Sequence, residues 1–296
     1  MEMRPARNAL VVLLLLAGGA RADETCPNLF SDGTLPTLTN PKLSAGATFL
    51  CFDAFAILYS GVSRTPLYAA EHLTRVSVAA ARRVERADSF HDEDRIPPDA
   101  RARVEDYVHS GYDRGHMAPA GDMPTPQAQS QSFSLANIVP QNRAFNRGLW
   151  AAIEESVRRL GSERGEIYVI TGPVFEGGTA QAIKGRVLVP TQIFKAIYDP
   201  GRAEAAAYLA PNRGEGDWRA VSLKELKDIS GLDVFPGLSD RTKGTPMSLP
   251  EPRDYSRGDS PDPRPRHRDE DGWGWARSEF LRILRRALRD ALRSIL

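Results

Sequence analysis

The sequence predicts an α+β fold built on a mixed sheet, and three observations carry that expectation. Short runs rich in aromatic and β-branched residues recur along the chain. Apolar spacing of three and four is clear in only a few segments, so helices are few. Gly, Pro and Asp turns separate the runs. Residues 23–45, rich in Pro, Asn, Thr and Ser, read as an irregular lead-in. Strands are expected at 48–52, 55–59 and, after a Thr-Pro start, 67–74. The charged, Pro-containing stretch 85–103 reads as a surface loop. Trp150, Ile153, Val157 and Leu160 mark a helix over 150–160. Residues 167–171 form a β-branched strand that Gly172-Pro173 should end, and 192–198 and 205–209 flank the turn Asp199-Pro200-Gly201. A short helix at 221–227 and a closing loop at 231–238 complete the core.

Both ends of the chain differ from this core. Residues 1–22 read as a secretory signal peptide: Arg4 and Arg7 precede the apolar run 9–17, and Ala20-Arg21-Ala22 forms an A-x-A cleavage site. That run is shorter than the about 20 residues a membrane span needs. Export, to a periplasm or the outside, is the expectation. Cys26 and Cys51 are the only cysteines. In an oxidising compartment a disulfide is their default, closing a loop of roughly 25 residues and contributing about 3 kcal/mol. Unlinked thiols are the alternative, and a zinc site lacks its ligand spacing. Without Arg4, Arg7, Arg21 and Glu2, the 39 basic and 38 acidic side chains become 36 and 37. Such a balance excludes a polybasic nucleic-acid coat, so phosphate affinity must be local.

From 243 to 274, prolines alternate with Asp, Arg and Ser, and this stretch reads as a linker unable to bury enough surface to fold. Residues 275–296 then place Leu281, Leu284, Leu288, Leu292 and Ile295 on one helical face and Arg282, Arg285, Arg286, Arg289 and Arg293 opposite. Three roles fit such a basic amphipathic helix: packing on the core, pairing with a partner helix (a homodimer included), or lying on an anionic membrane. The expected domains are therefore 1–22, 23–242 with a core at 45–238, 243–274 and 275–296.

Chemistry concentrates between Asp113 and Glu154. Asp113-Arg114-Gly115-His116 places a proton acceptor beside a cation shaped for phosphate. Asn137, Gln141, Asn146 and Glu154 follow at fixed spacings. Phosphodiester hydrolysis at neutral pH needs an activated water, charge relief at the non-bridging oxygens and help for the leaving oxygen. An imidazole with pKa near 6.5 can take the water's proton. Hydrated Mg2+ can supply the rest while anchored by one amide oxygen, since it keeps most of its waters.

These motifs resemble the DNA/RNA non-specific endonucleases with a ββα-metal active site, the family of secreted sugar-non-specific nucleases and mitochondrial endonuclease G. D-R-G-H, then N-x-x-x-Q, then the later Asn and Glu, stand at that family's spacings, and the resemblance covers residues 45–238. It implies a ββα-metal fold with a central mixed, mainly antiparallel sheet. It also implies endonucleolytic cutting of DNA and RNA without marked sequence preference, giving 5′-phosphorylated products with Mg2+ (or Mn2+ or another divalent cation). On this resemblance His116 is the general base and Asn146 the sole protein ligand of the metal. Glu154 holds a metal-bound water, and Asn137 supports the His116 ring or the site backbone. Arg114 meets phosphate or braces the loop, Arg158 and Arg86 meet phosphate, and Asp113 and Gln141 are scaffold.

Plainer roles fit each residue taken alone. His116 fits an ordinary satisfied histidine, Asn146 a helix cap, and Glu154 with Arg158 an i,i+4 ion pair. His72, His91, His109 and His267 show no partner pattern. Two rival functions remain: a catalytically inactive exported module that binds nucleic acid or is tethered to a surface, and hydrolysis of a non-nucleic phosphodiester. The second would need an apolar pocket for which the composition gives no sign.

Overall fold

The computed structural model describes residues 25–40, 44–177, 181–214 and 217–253. The expected signal peptide, most of the linker and the basic helix lie outside the described residues.

Seven strands form the central sheet in the order Arg219–Val221, Glu204–Pro211, Gln192–Asp199, Glu166–Val174, Thr65–Thr74, Phe55–Ser60 and Ala47–Cys51. Every pairing between these strands is antiparallel, and parallel pairing is confined to isolated bridges, Ala205 with Pro246 and His91 with Ser134. Hairpin turns impose that direction on successive strands, and the long excursion from Thr74 to Glu166 returns antiparallel as well.

Alternation along the strands buries both faces. Ile57, Ala69, Val169 and Ile197 point to one core with Trp150, Ile153 and Val157, whereas Ala56, Ala70, Ile170 and Ala196 point to the other with Leu223 and Leu226. The helix Leu223–Ser230 covers the second face, capped by the Ser222 hydroxyl on the Glu225 N–H. The irregular lead-in is tied there by the Cys26–Cys51 disulfide and by Thr37–Leu38 pairing with Leu232–Asp233.

Three sequence expectations are corrected. The strand Glu166–Val174 runs through Gly172-Pro173. A Cβ at Gly172 would stand 2.7 Å from the Leu67 carbonyl and the Phe194 ring, so glycine here serves close strand and ring approach rather than strand termination. Helices at Arg75–Ala81 and Pro126–Ser132 were not anticipated; both start from a threonine cap, Thr74 on Ser77 and Thr125 on Ala128. Finally, the linker does not begin at 243. Met247 and Leu249 are buried, the Met247 N–H donates to the Ala205 carbonyl, and the Tyr208 hydroxyl donates to the Pro250 carbonyl at 2.6 Å. Two apolar side chains spaced by two among the prolines hold this segment on the core.

Candidate active site

The site begins as a two-stranded hairpin, Asp113–His116 against Ile138–Gln141, with His116 opposite Ile138 and Asp113 opposite Gln141. Gly115 is required here. A Cβ at that position would run into the Gln141 side chain, which lies diagonally across the pair. Gln141 is thus scaffold, fully buried over the glycine.

His116 is buried, edge-on to Phe133 (centroids 5.0 Å, 83°) and 5.5 Å from Phe90. Its Nε2 has no hydrogen-bond partner within the protein. Burial, and then the charge of Arg86, push its pKa down to about 3. The sequence expectation of an imidazole near 6.5 is therefore corrected: the ring is neutral across the physiological range, with a bare nitrogen able to accept a proton.

Arg86 reaches this cage from the loop 85–103. Its guanidinium lies 5.4 Å from the Phe133 ring centre and pairs with Asp88 at 2.7 Å. Arg114 lies 4.6 Å from the Phe90 ring centre and has no hydrogen-bond or ion-pair partner among the described residues. Asn137 is fully buried and supports backbone rather than the imidazole. Its amide oxygen accepts from the Ala118 N–H (2.9 Å), and its amide nitrogen donates to the carbonyls of Ala118 (2.7 Å) and Ser132 (2.9 Å). The Met117 N–H donates to the Asn137 carbonyl, so the chain leaving His116 is held at successive residues.

Asn146 opens a π-helical turn, Asn146–Trp150, which leads into the helix Ala151–Arg164. Such turns often mark functional positions. The Asn142 side chain caps the short helix before it, accepting from the Ala144 and Phe145 N–H groups. The Asn146 amide nitrogen donates to Asp113 Oδ2 at 3.1 Å, which leaves the amide oxygen as the atom able to serve as a ligand. Arg147 (2.8 Å) and Arg143 (3.3 Å) share the same carboxylate. Burial raises the Asp113 pKa, but these partners outweigh it and hold the carboxyl below its ordinary value.

Glu154 lies half-buried on the long helix. Burial pushes its pKa up to about 7 against the opposing charges of Lys195 and Arg158. Arg158, expected at phosphate, is engaged within the protein: only 14% of its side chain is exposed, and it donates to Asp122 at 2.7 Å and Glu155 at 2.8 Å. The i,i+4 pair with Glu154 is also not formed. The buried Asp122 carboxylate draws the guanidinium across Gly121, where a Cβ would lie 3.1 Å from it.

Among the described residues, no group of three or more His, Cys, Asp or Glu side chains could cage a metal. The donors present fit a hydrated hard cation instead: one carboxamide oxygen oriented by Asp113 and a desolvated carboxylate at Glu154.

Sequence reasoning missed Phe90 and Phe133, which cage the imidazole, and Arg143 and Arg147, which brace Asp113. It also missed Lys195 and Glu71 beneath the site. Lys195 had a signal, standing between the inward-facing Ile193 and Ile197 of an apolar strand.

A histidine-bearing hairpin leading into an asparagine- and glutamate-bearing helix defines a ββα nuclease. The DNA/RNA non-specific endonuclease profile matches residues 36–241, and the chain belongs to that family. It is 34% identical over 216 residues to Nuclease C1 of Cunninghamella echinulata var. echinulata, covering 66% of this chain and 86% of the relative. It is 35% identical over 217 residues to the mitochondrial Nuclease EXOG of Danio rerio, covering 66% of this chain but 62% of that protein. A chain from the solved EndoG/EndoGI complex superposes with a TM-score of 0.58 at 27% identity, covering 67% of this chain and 89% of its own length.

Proposed function

We propose that the protein cleaves DNA and RNA internally without marked sequence preference, with His116 as general base and a hydrated Mg2+ held by Asn146, leaving 5′-phosphates. One observation carries this reading. The strand that holds the unpartnered Nε2 of His116 also holds Asp113, which orients the Asn146 amide.

The chain's own contributions follow from that arrangement. His116 is neutral and takes a proton from the attacking water at Nε2. Phe90 and Phe133 exclude bulk water from the ring and fix its plane. Arg114 and Arg86, each held over one of those rings, present guanidinium N–H groups to phosphate oxygens. Asn146 would hold the cation through its amide oxygen, and Glu154 would accept a hydrogen bond from one of the cation's waters. Bound Mg2+ supplies charge neutralisation and a water that protonates the leaving oxygen. Contacts of this kind address the backbone and not base edges, which accounts for tolerance of sequence and sugar.

Export belongs to the same reading, supported by the Ala20-Arg21-Ala22 motif and the Cys26–Cys51 disulfide. Association through 275–296, with a membrane surface or a second copy, is its remaining part. Incubating the purified protein with plasmid and with RNA, in Mg2+ or in EDTA, tests the central claim. Degradation lost in EDTA, with fragments end-labelled by kinase only after phosphatase treatment, is expected. Intact substrates in Mg2+ would defeat it.

A further inference from the structure

Two charged side chains on the inner face of the sheet take no part in the steps above. Lys195 and Glu71 are both 0% exposed. Lys195 pairs in register with Thr171, and Glu71 pairs with Val169 two residues along the same strand, so both stand on the face beneath the site. The Lys195 ammonium donates to the Thr171 hydroxyl at 2.7 Å and reaches the Met117 carbonyl at 3.5 Å. It also lies 5.7 Å from the centre of the Trp150 ring. Met117 directly follows His116, and Trp150 directly precedes the helix that carries Glu154. This one ammonium therefore touches the sheet, the histidine strand and the start of the glutamate helix.

Stability does not account for it. A buried ion pair is often matched or bettered by well-packed apolar residues, and the neighbours on this strand, Ile193 and Ile197, are apolar. Nor are the hydrogen bonds complete: both Glu71 oxygens lack a partner.

Other charged groups surround Lys195 and Glu71 on this face. Asp122 and Glu154 face Glu71 with negative charge, and Lys195 and Arg158 with positive. Arg158 is committed to Asp122 and Glu155. Lys195 also faces Glu154 with positive charge, together with Arg158 and Arg86. Burial, with Asp122 adding to it, pushes the Glu71 carboxyl well above its ordinary value.

We propose that Lys195 is a positioning residue of the nuclease reaction: its buried ammonium ties the carbonyl next to His116 to the sheet and faces the start of the helix that presents Glu154, so that base and carboxylate hold a fixed relation. The inference rests on the nuclease reading. Misplacement of reacting groups by about 1 Å lowers turnover by about a hundredfold, while Arg86 and Arg114 keep their places over Phe133 and Phe90. Loss of Lys195 accordingly lowers kcat and spares KM.

Plasmid cleavage in Mg2+ by wild type, Lys195→Met and Lys195→Met/Glu71→Leu tests this, alongside Tm and the NMR resonance of the His116 ring. The double variant removes the buried Glu71 carboxyl together with the ammonium and serves if the single one does not fold. A kcat reduced about ten- to a hundredfold in folded protein, with KM within about twofold and a shifted His116 resonance, is the expected result. A folded variant with kcat within about twofold of wild type overturns the inference, as does a loss that merely tracks unfolded protein with the resonance unmoved. A wild type that cuts nothing defeats the nuclease reading, and the inference with it.

Discussion

Asp113 accepts a hydrogen bond from the Asn146 amide nitrogen at 3.1 Å while Arg143 and Arg147 hold its other lone pairs. That hydrogen bond restrains the amide and leaves its oxygen as the atom able to meet a cation. Groups that orient a metal ligand typically contribute 10- to 100-fold in affinity or activity. Asp113→Ala is expected to raise the Mg2+ concentration for half-maximal activity by about that factor, with plasmid KM little changed at saturating Mg2+. A Mg2+ titration equal to wild type would show that Asn146 needs no such support.

His116→Ala should lower kcat by about 10²–10⁴-fold, the usual contribution of a positioned base. Its effect on stability depends on pH. The folded protein keeps this ring unprotonated down to about 3, whereas an unfolded histidine protonates near its ordinary 6.5. Wild-type stability is thus lost through this group as pH falls across that window. Tm measured from pH 7 to pH 4 should decline less steeply in His116→Ala. Parallel declines would mean the ring is not held neutral by burial.

Glu154 carries the opposite sign. The folded protein holds its proton up to about 7, against an ordinary 4.5. Without metal, Glu154 therefore costs stability as pH rises from 4.5 to 7. Binding a divalent cation favours the carboxylate and releases that proton, so Mg2+ affinity should climb through this range. Glu154→Gln is expected to bind Mg2+ more weakly and with a flatter pH dependence, measured by calorimetry in two buffers of different ionisation heat. Equal proton release in both proteins would remove Glu154 from the metal's surroundings.

Much of the site was legible in the sequence because its residues are close along the chain. His116, Asn146 and Glu154 sit on one strand pair and the helical stretch that follows it, and Gly115 with Gln141 shows how tightly the spacing is fixed. Residues contributed by distant strands were not legible. Lys195 and Glu71 join the site only when the sheet brings their strands under it. The ion pair of Arg158 was hidden for a related reason, since its partner Asp122 lies on a turn distant in sequence. Composition failed at the C-terminal boundary, where prolines masked Met247 and Leu249.

Arg114 and Arg158, both expected at phosphate, should now separate experimentally. Arg114→Ala removes an unpaired guanidinium and should raise plasmid KM severalfold while leaving Tm near wild type. Arg158→Ala strips the buried Asp122 of its ion-pair partner, a change that costs about 3–5 kcal/mol when a buried pair is broken. It should lower Tm markedly and affect KM little among molecules still folded. A raised KM at unchanged Tm for Arg158→Ala would return that residue to the substrate.

The tail gives the last prediction. Residues 245–253 pack on the core through Met247 and Leu249, and the Ser156 and Tyr208 hydroxyls donate to the carbonyls of Glu251 and Pro250. Truncation after Arg253 leaves these contacts intact and should preserve both Tm and plasmid cleavage. Truncation after Thr242 removes two buried apolar side chains, each worth about 1.5–3 kcal/mol, and also the Lys243 ammonium that donates to Asp233 at 3.1 Å. Several kcal/mol is a large share of a domain's stability. The shorter protein should therefore melt well below the longer one, through loss of core packing and not of catalytic groups. Two truncations with the same Tm would show that the segment adds nothing to the fold, and would restore the linker's start to residue 243.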